Sequence, residues 1–190
     1  MAKTTTTRRK KSKSVYAPTP IQGEKEKHIL AILVNNEPGV LARVIGLFSG
    51  RGYNIESLTV AETDHTAHLS RITIVSCGTP DVILQIKSLL ERLVPVLEVS
   101  DLSMEGAHVE RELALIKVNC TGEKRIEALR SADIFRARAV DSTLESFVFE
   151  ITGTTEKINA FIDLMVPLGL VDVSRTGIAA ISRGKDAIGA

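Results

Sequence analysis

Ile29-Leu30-Ala31-Ile32-Leu33-Val34 runs into Asn35-Asn36-Glu37-Pro38-Gly39, and Val40-Leu41-Ala42-Arg43-Val44-Ile45-Gly46-Leu47-Phe48 follows. The first run is a short apolar stretch of strand length. The third places apolar residues at 40, 41, 44, 45 and 48, the stripe of an amphipathic helix. Between them lies an abrupt strand-to-helix turn. Pro38 has no N–H to lose at a first helical position, and Gly39 lets a ligand approach the backbone closely. The unpaired N–H groups of a first helical turn, at the positive end of the helix dipole, suit a carboxylate or phosphate. No catalytic group accompanies this anion seat, so the pattern points to sensing rather than chemistry.

An internal repeat extends that unit into an architecture. Leu30-Ala31-Ile32-Leu33-Val34-Asn35 has a counterpart in Leu113-Ala114-Leu115-Ile116-Lys117-Val118-Asn119. An offset of 75 carries Arg71-Ile72-Thr73-Ile74 onto Ser146-Phe147-Val148-Phe149, Gly78-Thr79 onto Gly153-Thr154, and Ile83, Ile86 and Leu89 onto Ile158, Phe161 and Leu164. Leu97-Glu98-Val99-Ser100 resembles Val171-Asp172-Val173-Ser174. A period this long describes a small domain rather than a solenoid unit.

Each copy reads strand, helix, strand, strand, helix, strand. In the first, the pattern predicts strands over 28–35, 54–62, 68–77 and 95–102, helices over 39–51 and 80–93, and a hairpin over 63–67. In the second it predicts strands over 112–120, 138–143, 145–152 and 169–180, with helices over 123–135 and 154–166. The fold class is therefore α+β: two tandem ferredoxin-like βαββαβ domains with antiparallel sheets and helices on one face. The expected division is a basic tail over 1–27, a first domain over 28–103, a joint over 104–112, a second domain over 113–184 and a short tail over 185–190. One face of each sheet is left without cover, and domains this small are marginal alone, so pairing between domains and between chains is expected.

Composition narrows the class. Apolar content is 44%, and no apolar run approaches the ~20 residues that span a bilayer. The two cysteines, Cys77 and Cys120, each end an apolar run and read as reduced, partly buried thiols. Residues 1–27 carry eight Lys/Arg and two Glu, leaving 16 basic against 21 acidic residues in the folded part. The Thr-, Ser- and Lys-rich tail reads as a disordered, solvated extension. No secretory h-region follows its basic residues, and the expected location is the bacterial cytoplasm.

Other constellations carry less. His65-x-x-His68 has metal-like spacing but no third ligand cluster, so no metal is expected. His28 and His108 flank elements and read as surface or joint residues. No nucleophile elbow, Walker loop or dinucleotide fingerprint occurs, and no carboxylate pair is placed for acid–base work. Two tyrosines, five phenylalanines and no tryptophan leave the sheets without stacking aromatics, which argues against nucleic acid. Around the turn, Asn36 could serve only as a helix cap. Three amides, Asn35, Asn36 and Asn54, favour a polar ligand instead; Asn54 is expected to open the second strand.

Asn36-Glu37-Pro38-Gly39-Val40-Leu41-x-Arg43-Val44-x-Gly46-Leu47-Phe48, then Arg51-Gly52-Tyr53-Asn54-Ile55-Glu56-Ser57-Leu58-Thr59-Val60, resembles the small regulatory subunits of acetolactate synthase (acetohydroxyacid synthase). Gly106-Ala107-His108-Val109-Glu110-Arg111-Glu112, Ser174-Arg175-Thr176-Gly177 and Ser182-Arg183-Gly184 carry the resemblance over residues 28–184. It implies an amino-acid-binding ACT domain followed by an ACT-like domain, in a regulatory homodimer. The dimer would activate a separate catalytic subunit and confer feedback inhibition by valine or another branched-chain amino acid. The chain itself would bind no cofactor or metal; its catalytic partner would carry thiamine diphosphate, Mg²⁺ and FAD. The family's effector positions fall on Asn36, Pro38, Gly39, Val40 and Leu41 of one chain, with Asn54 and Ile55 of its mate. In the second copy Cys120-Thr121-Gly122-Glu123 replaces the Asn-Pro-Gly turn, so no effector is expected there. A free-standing tandem-ACT regulator of a transcription or protein partner is the alternative, and a purely structural dimerisation module a third reading.

Overall fold

The computed structural model describes residues 24–185, 187 and 188. The expected basic tail lies almost wholly outside the described residues. The first six elements are β1 (Glu26–Asn35), α1 (Val40–Arg51), β2 (Ser57–Asp64), β3 (Leu69–Gly78), α2 (Pro80–Leu90) and β4 (Val96–Asp101). Then come β5 (His108–Asn119), α3 (Gly122–Phe135), β6 (Arg138–Ser142), β7 (Ser146–Gly153), α4 (Thr155–Gly169), β8 (Leu170–Arg175) and β9 (Ala179–Ser182). The sheets run β2-β3-β1-β4 and β6-β7-β5-β8, every pairing antiparallel. The repeat seen in the sequence is thus a repeat of topology. Even a local irregularity is shared: β1 shifts register against β4 at Leu33/Val34, and β5 against β8 at Lys117/Val118.

Side-chain alternation builds the first core. Leu30, Ile32 and Val34 face the helices with Ile72 and Ile74, against Val40, Val44 and Phe48 of α1 and Ile83, Ile86 and Leu90 of α2. Phe48 is 1% exposed, and trimming such a side chain to Ala typically costs about 3–5 kcal/mol. The end of α1 is fixed by Gly52 at φ 71°: its N–H donates to the Ser49 carbonyl and that of Tyr53 to the Phe48 carbonyl. This is a Schellman stop, which requires a left-handed residue and favours Gly.

The other face of the first sheet, for which pairing between domains or chains was expected, is covered from within the chain. Ile29, Ala31 and Val75 pack against Leu102, Ile178 and Ala180, so the C-terminal segment lies over it. Two differences from the expected elements explain how. The joint is partly strand: β5 begins at His108, and residues 108–111 pair with β9 while 112–119 pair with β7. The strand expected over 169–180 is broken at Thr176–Ile178 into β8 and β9. There Gly177 takes φ +82°, and β9, paired with the start of β5, crosses the open face of the first sheet. The corresponding face of the second sheet stays polar, with an Arg138–Glu150 ion pair at 3.0 Å and Leu115 40% exposed.

Candidate functional site

The turn after β1 differs in detail from a simple helix start. Val40 N–H donates to the Glu37 carbonyl at 3.2 Å, and Gly39 has φ 81° and ψ 1°. That is a type II β-turn, whose second central residue must adopt positive φ, with Pro favoured before it. Gly39, not Asn36, is the N-cap of α1, and no side chain caps the helix. Pro38 therefore precedes the N-cap rather than opening the helix. Arg43 N–H donates to the Gly39 carbonyl, while the N–H groups of Gly39, Leu41 and Ala42 meet no acceptor among the described residues. A Cβ at Gly39 would have nothing within 4 Å, so the seat is open. Asn36, Glu37, Pro38 and Gly39 are all exposed.

The apolar members divide. Val40 is 7% exposed and belongs to the first core, so it has little surface to offer a ligand. Leu41 and Ile55 are half-buried against the same core and each keeps a free flank.

Asn54 does not open β2, which begins three residues later at Ser57. Its carbonyl accepts from Ser76 Oγ at 2.7 Å, and its side chain is exposed. Ser76 pairs with His28 at the start of β1, whereas Asn36 N–H is held by the His68 carbonyl at the far end. Eight residues of strand at ~3.3 Å each separate the two amides by about 26 Å. One chain therefore does not bring Asn36 and Asn54 together.

A polar cluster that the sequence left unassigned stands beside the turn. Glu62, at the end of edge strand β2, accepts from His65 Nδ1 at 2.7 Å and lies 3.8 Å from His68 Nδ1. The hydrogen bond from His65 holds its carboxyl below the ordinary range against the effect of burial, and the Asn36 amide adds to this. Asp64 closes the hairpin by accepting from Thr66 N–H and Ala67 N–H. Among the described residues no group of three or more His, Cys, Asp or Glu could hold a metal ion.

His28 corrects the sequence reading: it is 1% exposed, with Nδ1 2.7 Å from Asp101 Oδ2. β1 starts early enough to enclose it beneath the end of β4. Cys77 and Cys120 are free thiols, Cys77 half-buried and Cys120 buried. A hydrogen bond with Glu56 pushes the Cys77 thiol up, and burial pushes up that of Cys120.

The second domain grips β2 on its other face. Ser57 Oγ accepts Ile178 N–H at 2.9 Å, and Thr59 Oγ1 donates to the Ile178 carbonyl at 3.1 Å. Arg71 donates to the Ala180 carbonyl at 2.9 Å. A cleft of about 540 Å³ opens beside this grip, lined in part by Lys27, Glu112 and Arg175. Part of its ionic lining is already paired: Arg175 forks onto both Glu112 oxygens at 2.7 Å, and Lys27 pairs with Glu110 at 3.2 Å. The open seat at the α1 turn has no such internal partner.

Residues 30–98 match the family described as the AHAS small subunit-like ACT domain, and residues 111–184 the one described as small subunit of acetolactate synthase. The "Probable acetolactate synthase small subunit" of Archaeoglobus fulgidus is 49% identical over 83% of this chain and 98% of its own. The "Acetolactate synthase isozyme 3 small subunit" of Escherichia coli is 46% identical over 83% and 96%. The crystal structure of the acetolactate synthase small subunit from Thermotoga maritima superposes with a TM-score of 0.77 at 38% identity, covering 85% of this chain and 99% of that one. Among the described residues, no helix is long and apolar enough to cross a membrane.

Proposed function

This chain belongs to the acetolactate synthase small-subunit family, and on that premise we propose that it senses valine, or another branched-chain amino acid, between two copies of itself. Its role is regulatory. The reading assigns the chemistry to a catalytic subunit that carries thiamine diphosphate, Mg²⁺ and FAD, which this chain activates and, with effector bound, restrains. The expected setting is the bacterial cytoplasm.

The observation that carries the proposal is the uncapped type II turn at the positive end of α1, where three N–H groups meet no acceptor among the described residues and the space before Gly39 is open. A carboxylate would bind there, with the branched side chain against the free flanks of Leu41 and the partner's Ile55. The second amide must come from another chain. β2 is a sheet edge, and edges are pairing surfaces. If two β2 strands pair antiparallel about an axis near Val60–Ala61, Asn54 of the partner subunit comes level with the 65–68 hairpin beside Asn36. The register that separates the two amides within one chain thus joins them between two.

The test is reconstitution. The isolated chain is expected to make no acetolactate from pyruvate in thiamine diphosphate, Mg²⁺ and FAD. Added to a purified catalytic subunit, it should raise the rate, and valine should reverse the gain. Activity of the chain alone, or failure to affect the catalytic subunit, refutes the proposal. Capture of a transcription factor in place of a thiamine-dependent enzyme would favour a free-standing regulator.

A further inference from the structure

We propose that Glu62 is the counter-ion for the effector's α-ammonium, and that it makes the site selective for amino acids over 2-hydroxy and 2-oxo acids of the same carbon skeleton. This rests on the effector site proposed above and names a charged residue that its sequence pattern does not contain.

The placement follows from register. Leu58 and Val60 pair with Ile74 and Ile72, whose side chains face the helices. Two residues on, Glu62 projects to the same face, opposite Ser70, which itself pairs with Val34 just before the turn. The carboxyl group therefore stands on the α1 side of the sheet, at the end where α1 begins. Ser57 and Thr59, of opposite parity, face the second domain instead.

The chemistry requires such a group. A zwitterion whose carboxylate sits on the N–H groups of Gly39, Leu41 and Ala42 carries its ammonium within ~3 Å of that carboxylate. Asn36 offers this ammonium a neutral carbonyl, whereas Glu62 adds a full negative charge beside it. Hydrogen bonds to charged groups exceed neutral ones, and a buried ammonium without an anion is costly. A hydroxyl or ketone at the same position gains nothing from the charge. Glu62 is already organised by His65, with His68 next to it, so it is held in place before any ligand arrives. Its side chain is 26% exposed, leaving surface for a further partner.

The experiment is calorimetric titration of the full chain with L-valine and with (S)-2-hydroxy-3-methylbutanoate, which keeps the shape and loses the ammonium. Wild type should bind valine at least about tenfold more tightly. Glu62→Gln should lower valine affinity by about tenfold to a hundredfold and leave the hydroxy acid unchanged, so that the preference collapses. Glu37→Gln removes the neighbouring exposed acid in the turn and should keep the preference. An unaltered preference in Glu62→Gln, or a collapse in Glu37→Gln, overturns the assignment. Gly39→Asp tells this failure from failure of the site. If that variant loses valine while Glu62→Gln does not, the site stands and Glu62 is wrong. If Gly39→Asp still binds valine, or wild type binds neither probe, the site itself is wrong and this inference falls with it.

Discussion

Replacing Gly177 by Ala tests the grip of the second domain on β2. Gly177 has φ +82°, where an L side chain costs roughly 1–2 kcal/mol. An added Cβ would lie 2.5 Å from Ser57 Oγ and 3.2 Å from Thr59 Oγ1. The Ser57 hydroxyl must turn away, and it is the acceptor for Ile178 N–H. Ile178 is only 5% exposed, so an N–H left unsatisfied there costs about 1–3 kcal/mol. Together these give a loss of about 2–5 kcal/mol. Urea unfolding of the full chain measures it, and faster tryptic cleavage after Arg183 reports release of the segment. A cycle with Ser57→Ala isolates the contact, because the double variant has no hydroxyl to displace. It should be destabilised by at least about 1 kcal/mol less than the sum of the singles, beyond ordinary additivity error. Strict additivity, or a loss under about 0.5 kcal/mol for Gly177→Ala, would refute the reasoning.

Three further outcomes are expected. Gly39→Asp should bring a like charge to the carboxylate seat at a modest backbone cost, and Asn54→Ala should remove a ligand bond worth ~1–3 kcal/mol; each should render reconstituted synthase resistant to valine, with Gly39→Ala as the control for backbone strain, and wild-type inhibition curves would reject the site. Gly169→Ala places a Cβ 2.1 Å from the Asn119 carbonyl at φ +110°, a clash with backbone that cannot swing away, so thermal unfolding should show a loss of at least about 3 kcal/mol. Burial pushes the Glu105 carboxyl up, but Lys87, Ser100 and the Asp101 N–H outweigh it and hold the group below its ordinary 4.5; its contribution is therefore full above that value and fades as pH falls through the lowered one, so urea midpoints at pH 7 and pH 4 should differ less in Glu105→Gln than in wild type.

How far the sequence could be read depended on whether a feature was local. The end of α1 at Arg51 and the apolar strand run from Ile29 to Val34 follow from a few neighbouring residues and their spacing. The start of β2 was misplaced because Asn54 and Ile55 continue an apolar-polar pattern; only the hydrogen bonds to β3 show that pairing begins at Ser57. The break at Thr176–Ile178 was hidden for a different reason. Val171 to Ala180 reads as one extended run, and what divides it is a hydroxyl pair more than 110 residues earlier. Glu62 was passed over because a lone acid on an edge strand looks like any solvated charge until pairing sets it beside Asn36. His28 misled by position: near the start of an element it reads as exposed, yet Asp101 closes over it.

The two copies share strand order and even a bulge, so their divergence shows what each place in the chain demands. At the turn, the first copy has exposed Asn36, Pro38 and Gly39 and an uncapped helix. The second has Cys120 at 4% exposure and Thr121 at the N-cap position of α3, where it too makes no side-chain cap bond. A buried thiol and a Thr leave no pair of amides to meet a zwitterion. On the sheets the asymmetry is reversed. The outer face of the first is apolar at Ile29, Ala31 and Val75 and needs a cover, which the second copy supplies by extending β5 back to His108 and adding β9. The outer face of the second has Lys117 between Val148 and Asp172 and the Arg138–Glu150 pair, polar groups that do not call for such a cover. Covering apolar area at about 25 cal/mol per Å² gives the first domain stability that a unit of its size lacks alone. That support matters most at β2, an edge strand whose outer face is held by Ile178 and whose helix face carries Glu62 toward the open turn. A strand with a free edge would otherwise fray, and the turn beside it would lose the geometry that a small ligand needs.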